Sequence, residues 1–136
     1  MRTTLLFLAL VLSFASCDPG NGVSSGTGQI ASSGTWRVTL FTDSGNDETS
    51  DFAGYTFTFS NSGTVTAQKN STSQTGTWSI NSSSNKFNID LGAKTDANKP
   101  LGELTDDWLI LSVSNTEIRL GDDNPASNEF LTFTKN

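Results

Sequence analysis

From residue 34 onward, apolar and polar side chains alternate with a period of two. Trp36, Val38 and Leu40 alternate with Arg37, Thr39 and Phe41, and Tyr55, Phe57 and Phe59 alternate with Thr56, Thr58 and Ser60. The pattern returns at Val65 and Ala67, at Trp78 and Ile80, and at Phe87, Ile89 and Leu91. It returns again at Ile118 and Leu120, and at Leu131 and Phe133. Residues 107–113 differ, being apolar on both faces. Side chains that change face at every residue define a β-strand. The β-branched and aromatic content, with a Thr-rich second face, predicts strands half-buried against one core. Beyond the first 16 residues no segment carries a 3.6-residue period.

These segments make eight strands. Asn61-Ser62-Gly63, Asn70-Ser71, Asn81 to Asn85 and Ser114-Asn115 supply turn chemistry between them. Eight strands in about 100 residues with short turns predict an all-β, antiparallel up-and-down (meander) barrel, with a sandwich as the alternative. In a meander, successive connections fall at alternate ends. Residues 43–53, 69–74, 92–106 and 121–128 form the longer set, and 61–63, 81–85 and 114–115 the tight set. One end is therefore expected to be an open mouth and the other closed.

A barrel removes both edges of an aromatic-rich sheet. If the first and last strands pair antiparallel, opposed residue numbers share one sum. Trp36 with Lys135 and Phe41 with Phe130 both give 171. That register places the first pair inward at the closed end and the second outward over the seam.

At this point residues 34–136 resemble the lipocalin-like (calycin) proteins. Gly34-Thr35-Trp36 at the start of the first strand, the eight-strand meander and the basic Lys135 carry the resemblance. It implies that Trp36 closes the barrel floor and that Lys135 lies over it in a cation–π contact. It also implies a small apolar or neutral molecule inside the barrel. Gly76-Thr77-Trp78 repeats the tripeptide on another strand. The expected ligand residues are Leu40, Tyr55, Trp78 and Trp108, lining a shallow pocket at the mouth. A filled core is the alternative, because eight short strands are just wide enough for side chains to fill the interior. The protein would then be a structural or interaction module contacting a partner protein or a cell-surface polymer.

The N-terminus reads as an address. Arg2 precedes an apolar run from Leu5 to Leu12, too short to span a bilayer as a helix. Phe14-Ala15-Ser16-Cys17 resembles a bacterial lipobox, so residues 1–16 are expected to be a lipoprotein signal peptide. Cys17 would then carry palmitate-type acyl chains. Cleavage after Ala15 by an ordinary signal peptidase is the competing reading. Cys17 is the chain's single cysteine and can form no intramolecular disulfide, which favours lipidation. Two or more acyl chains give stable anchoring, with the outer membrane of a bacterial envelope the expected address. Residues 17–33, rich in Gly and Ser, are expected to be a flexible tether, with one turn at Gln29-Ile30-Ala31.

Charge and composition exclude other classes. A net charge of -6, with 8 basic against 14 acidic side chains, argues against nucleic acid and anionic lipid. The chain has no His, the commonest general base and metal ligand. Asp106-Asp107 are sequential on a strand and point to opposite faces, so they make no acid/base pair. Asp43-x-Gly-x-Asp47 and Asp122-Asp123-Asn124 have Ca²⁺-type oxygen donors but not EF-hand spacing. We therefore expect no enzyme, no metal and no cofactor. The acidic residues cluster at the expected mouth, a rim that would favour neutral or cationic ligands.

Overall fold

The computed structural model describes residues 26–136. The signal-peptide and lipidation readings on residues 1–17, and the first part of the tether, lie outside the described residues. One short helix, α1 (Thr27–Ala31), precedes an antiparallel sheet. Its strands are β1 (Trp36–Asp43), β2 (Asn46–Asp47), β3 (Thr56–Phe59), β4 (Thr64–Lys69) and β5 (Thr72–Asn81). They continue as β6 (Lys86–Asp90), β7 (Asp106–Val113), β8 (Glu117–Gly121) and β9 (Phe130–Lys135). The two-residue β2 only folds back on the end of β1. The other eight form the ring in meander order, and β9 returns to pair with β1. This is the eight-stranded barrel that the alternation predicts.

The predicted closure holds over its first half. Trp36 pairs with Lys135, Arg37 with Thr134 and Val38 with Phe133, all at a sum of 171. Between Val38 and Leu40 the register slips by one, so Phe41 opposes Leu131 and Thr42 opposes Phe130. This is a β-bulge, which adds one residue to one strand and exchanges the faces beyond it. Two expectations change with it. Phe41 is fully buried inside rather than covering the seam outside, and Leu40 faces outward rather than into the barrel.

The closed end is built around Trp36, which has no exposed surface. Its indole Nε1 donates to the Ala31 carbonyl at 2.8 Å, so α1 is fastened beneath the floor. Ala31 is itself buried in the core and Ile30 packs against it. Residues 27–33, the last part of the expected tether, are therefore held against the floor. Lys135 Nζ lies 5.1 Å from the Trp36 ring centre and donates to Ser33 Oγ at 2.8 Å. Gly34 has φ +99°, and the Lys135 stem passes 3.5 Å from where a Cβ would stand. The left-handed backbone, rather than any lack of space, favours glycine there.

The opposite end is stoppered rather than open. A 3-10 turn at Thr49–Phe52 inserts Phe52, 2% exposed. Another at Leu101–Leu104 buries Leu101 and Leu104. Residues 69–74 are no long loop: pairing runs to Lys69↔Thr72, around Asn70 at φ 55°. Asn tolerates this left-handed geometry and permits the tight turn. β1 meets β3 at one register pair, Trp36↔Phe57. Further up β1, the Thr49 hydroxyl accepts from Phe41 N at 2.9 Å, in the position a neighbouring strand would occupy.

Between the two ends the axis is filled by aromatic rings in edge contact. Phe59 lies 5.3–5.4 Å from Trp78, Phe87 and Phe133. Phe41 meets Phe52 at 5.1 Å and Trp108 at 6.5 Å. Gly76, opposite Val65, lets this filling continue upward. A Cβ there would collide with the Asp90 carbonyl and come within 3.1 Å of Leu91 Cα. Only glycine lets the chain leaving β6 cross β5 to start the stopper. Gly76→Ala should therefore destabilise the protein by about 1–3 kcal/mol through overpacking. Urea unfolding checks this, and a midpoint equal to the parent's would refute the close crossing.

Candidate functional site

The four predicted ligand residues do not line one pocket. Tyr55 is half-buried beside β3 and sits under the Lys69 ammonium, 5.0 Å from its ring centre. Trp78 lies at the closed end, stacked on Phe87, and donates from Nε1 to the Ser60 carbonyl at 2.8 Å. Trp108 is wholly buried beneath the stopper and donates to the Leu104 carbonyl at 2.9 Å. Both tryptophans are core side chains with satisfied N–H groups, and Tyr55 packs against that core. Leu40 borders a surface depression on the outer wall, and Trp78 borders a separate one with Ile89 and Asn88.

That wall carries the unusual feature. A second register shift, between Ile110 and Ser112, separates β7 from strict pairing with β8. Leu111 is the extra residue and is 49% exposed. Two bulges, one in β1 and one in β7, thus turn Leu40 and Leu111 toward solvent. Phe130, at the start of β9, is 43% exposed, and Leu111 and Phe130 are the exposed large hydrophobics among the described residues. Gly121 lies beneath them: a Cβ there would touch Leu111 at 3.2 Å and Phe130 at 3.4 Å. The outer face of β8 is thus flattened so that both side chains lie across it.

Two depressions of about 210 Å³ adjoin this ridge. One reaches Leu109, Pro125, Asp122 and Glu129; the other reaches Leu40, Arg119 and Thr132. The 107–113 run, apolar on both faces, is the sequence signal for this site. The sum of 171 also reads Phe130 as outward at the seam, where it stands, whereas Glu129 carries no separate signal.

Carboxylates surround the first depression. Lys94 Nζ pairs with Asp106 at 2.8 Å and lies 4.0 Å from Glu129. Lys86 pairs with Asp123 at 2.7 Å. The Glu129 side chain is 13% exposed. Burial pushes its carboxyl up to about 6; Lys94 opposes this, and Asp43, Asp106 and Asp122 reinforce it. Asp47, by contrast, accepts from the hydroxyl and the N–H of Thr49, which hold it below the usual carboxylate range. Among the described residues no three acidic side chains converge on a metal-binding geometry.

No family model matches the sequence, and no curated protein matches it. Solved structures do share the fold. The chain is similar to a DUF4847 family protein from Bacteroides vulgatus, at 19% identity and TM-score 0.59. That match covers 82% of this chain and 98% of the other. It is also similar to a protein from Burkholderia xenovorans solved by NMR, at 16% identity and TM-score 0.50. There the coverage is 100% and 99%. At these identities the likeness is one of fold.

Glu129 gives the site a signature in solution. Its folded-state pKa lies above the ordinary value, so its contribution to stability is complete below about pH 4.5. It is lost as pH rises through about 6. Glu129→Gln removes that loss. Thermal melts should show the variant gaining on the parent between pH 4.5 and pH 7.5. A difference independent of pH would mean that the carboxyl is not held as described.

Proposed function

We propose that this chain is a lipid-anchored protein of the bacterial cell envelope. In this reading its filled, lipocalin-like barrel is a rigid interaction module that holds a partner on its outer wall. The observation that carries the reading is the pairing of a filled axis with an exposed Leu111–Phe130 ridge. Twelve of the largest side chains of the interior have less than 2% of their surface exposed, including Trp36, Trp108, Phe57, Phe59 and Phe87. A ligand inside would have to displace aromatic rings from a packed core. Outside, two bulges present leucines to water, and bulges commonly re-aim side chains next to functional sites. Apolar surface held outward on a rigid scaffold favours association. Anchoring rests on Cys17 and the lipobox-like Phe14-Ala15-Ser16 before it.

The anchor is tested by Cys17→Ser in cells fed radiolabelled palmitate. The variant should lose the label and leave the membrane fraction. Label retained by the variant would place acylation elsewhere and refute the lipid attachment at Cys17.

The interaction surface is tested by placing a photo-crosslinking amino acid at position 111, and separately at Thr75. Thr75 is exposed on β5, two strands away from β7. Irradiation of living cells should yield protein adducts from position 111 and none from position 75. Equal adducts from both positions, or none from either, would overturn the outer-wall reading.

A further inference from the structure

Size and charge at the ridge narrow the partner's chemistry. Each depression, at about 210 Å³, is smaller than the roughly 300–1,000 Å³ of sites built for small molecules. Each has room for one large side chain. The two share Leu111 and Phe130 as their common wall, so an occupant must offer two apolar groups that straddle the ridge. Interface energy concentrates on such anchored side chains.

The two ends of the ridge differ in charge. Near the first depression stand Asp43, Asp106, Asp122, Asp123 and Glu129, against the ammonium groups of Lys86 and Lys94. Lys94 is already bound to Asp106 at 2.8 Å and Lys86 to Asp123 at 2.7 Å. Five carboxylates against two engaged cations leave a net negative rim. The second depression is bordered by Arg119, which lies 3.9 Å from Glu117.

A second copy of this chain fits poorly. Each copy carries a net charge of -6, and a twofold contact would set the acidic rim near its own image. Two exposed large apolar side chains also fall short of the roughly 20–30 residues a side of a stable dimer.

Resting on the outer-wall reading above, we infer that the ridge holds a segment of a partner protein with two neighbouring apolar side chains. A Lys or Arg stands beside the side chain that enters the depression at Asp122 and Glu129. The apolar pair supplies the anchor, and the flanking cation sets direction and speeds encounter. Glu129 makes this recognition depend on pH. It is faced by Lys94 from the β6–β7 connection, Asp43 at the end of β1, Asp106 at the start of β7 and Asp122 after β8. Its carboxyl charges as pH rises through about 6, so the cation is held more firmly at pH 7 than at pH 5.

Two fluorescein-labelled nonapeptides serve as probes. Both carry tryptophans two residues apart; one has flanking lysines and its twin has glutamates there. Fluorescence anisotropy should show the lysine peptide binding at least about tenfold more tightly than the twin, a difference that shrinks with added salt. Phe130→Ser, a change at an exposed position that leaves the core intact, should weaken the lysine peptide about tenfold. Asp122→Asn with Glu129→Gln should abolish the preference for lysine. The parent, and not Glu129→Gln, should bind the lysine peptide less well at pH 5 than at pH 7.

Equal binding of the twins, or full binding by Phe130→Ser, overturns the inference. So does a concentration-dependent dimer in sedimentation that Phe130→Ser abolishes, which would assign the ridge to a second copy. Failure of both peptides while position 111 still cross-links to protein would refute this chemistry and leave the outer-wall reading standing. Failure of the peptides together with loss of the cross-links would remove both.

Discussion

The ladder between β1 and β9 joins the two extremities of the described sheet, residues roughly a hundred positions apart. Closing so long a loop carries a conformational-entropy cost of several kcal/mol. What offsets it is concentrated at Trp36. That side chain is packed from inside, bonded from below by the Ala31 carbonyl and covered by Lys135 from the last strand. Without that seam, β9 and β1 would each present an unpaired row of backbone groups. The aromatic interior would then lose the wall that encloses it. The stopper, the bulges and the outer ridge presuppose this joint, because each takes its position from strands whose register it sets.

A filled axis follows from the size of the ring. Eight strands enclose a space that side chains can occupy completely. Here Trp and Phe residues do so, in edge contacts that suit the charge distribution of the rings. Buried Trp N–H groups find carbonyl partners at Ala31, Ser60 and Leu104. Among the described residues no buried side-chain N or O atom lacks a partner. A barrel packed in this way is a scaffold, and the chemistry available to it lies on its surface.

The strands, their order and the Trp36–Lys135 floor were legible because they depend on local period and on one sum of residue numbers. Three features were not. The bulges at Thr39 and Leu111 leave no local trace, yet each reverses the faces beyond it. Hence Leu40 reads as interior, and Phe41 reads as exterior. The sharp turn at Asn70 depends on one residue adopting φ 55°, and the composition around it resembles a longer loop. The stopper depends on Gly76, whose missing side chain matters only when Asp90 crosses it. The Gly-Thr-Trp at residues 76–78 is therefore a packing device, unlike the matching tripeptide at the floor. In the candidate site, Leu40 was named in sequence for an inward role and Phe130 for an outward one, whereas Leu111 and Glu129 emerged from the three-dimensional arrangement.

The contact between β1 and β3 has a dynamic consequence. Elsewhere in the ring adjacent strands share four or more register pairs, whereas these two share one, reinforced by the Thr49 hydroxyl on Phe41 N. The cylinder is therefore mechanically anisotropic. Its compliant line runs between the first and second staves of the ring, and β7, β8 and β9 lie beyond the six-pair β1–β9 seam from it. The Leu111–Phe130 ridge stands beyond that seam, so thermal breathing at the compliant line is separated from the ridge by a full ladder of hydrogen bonds.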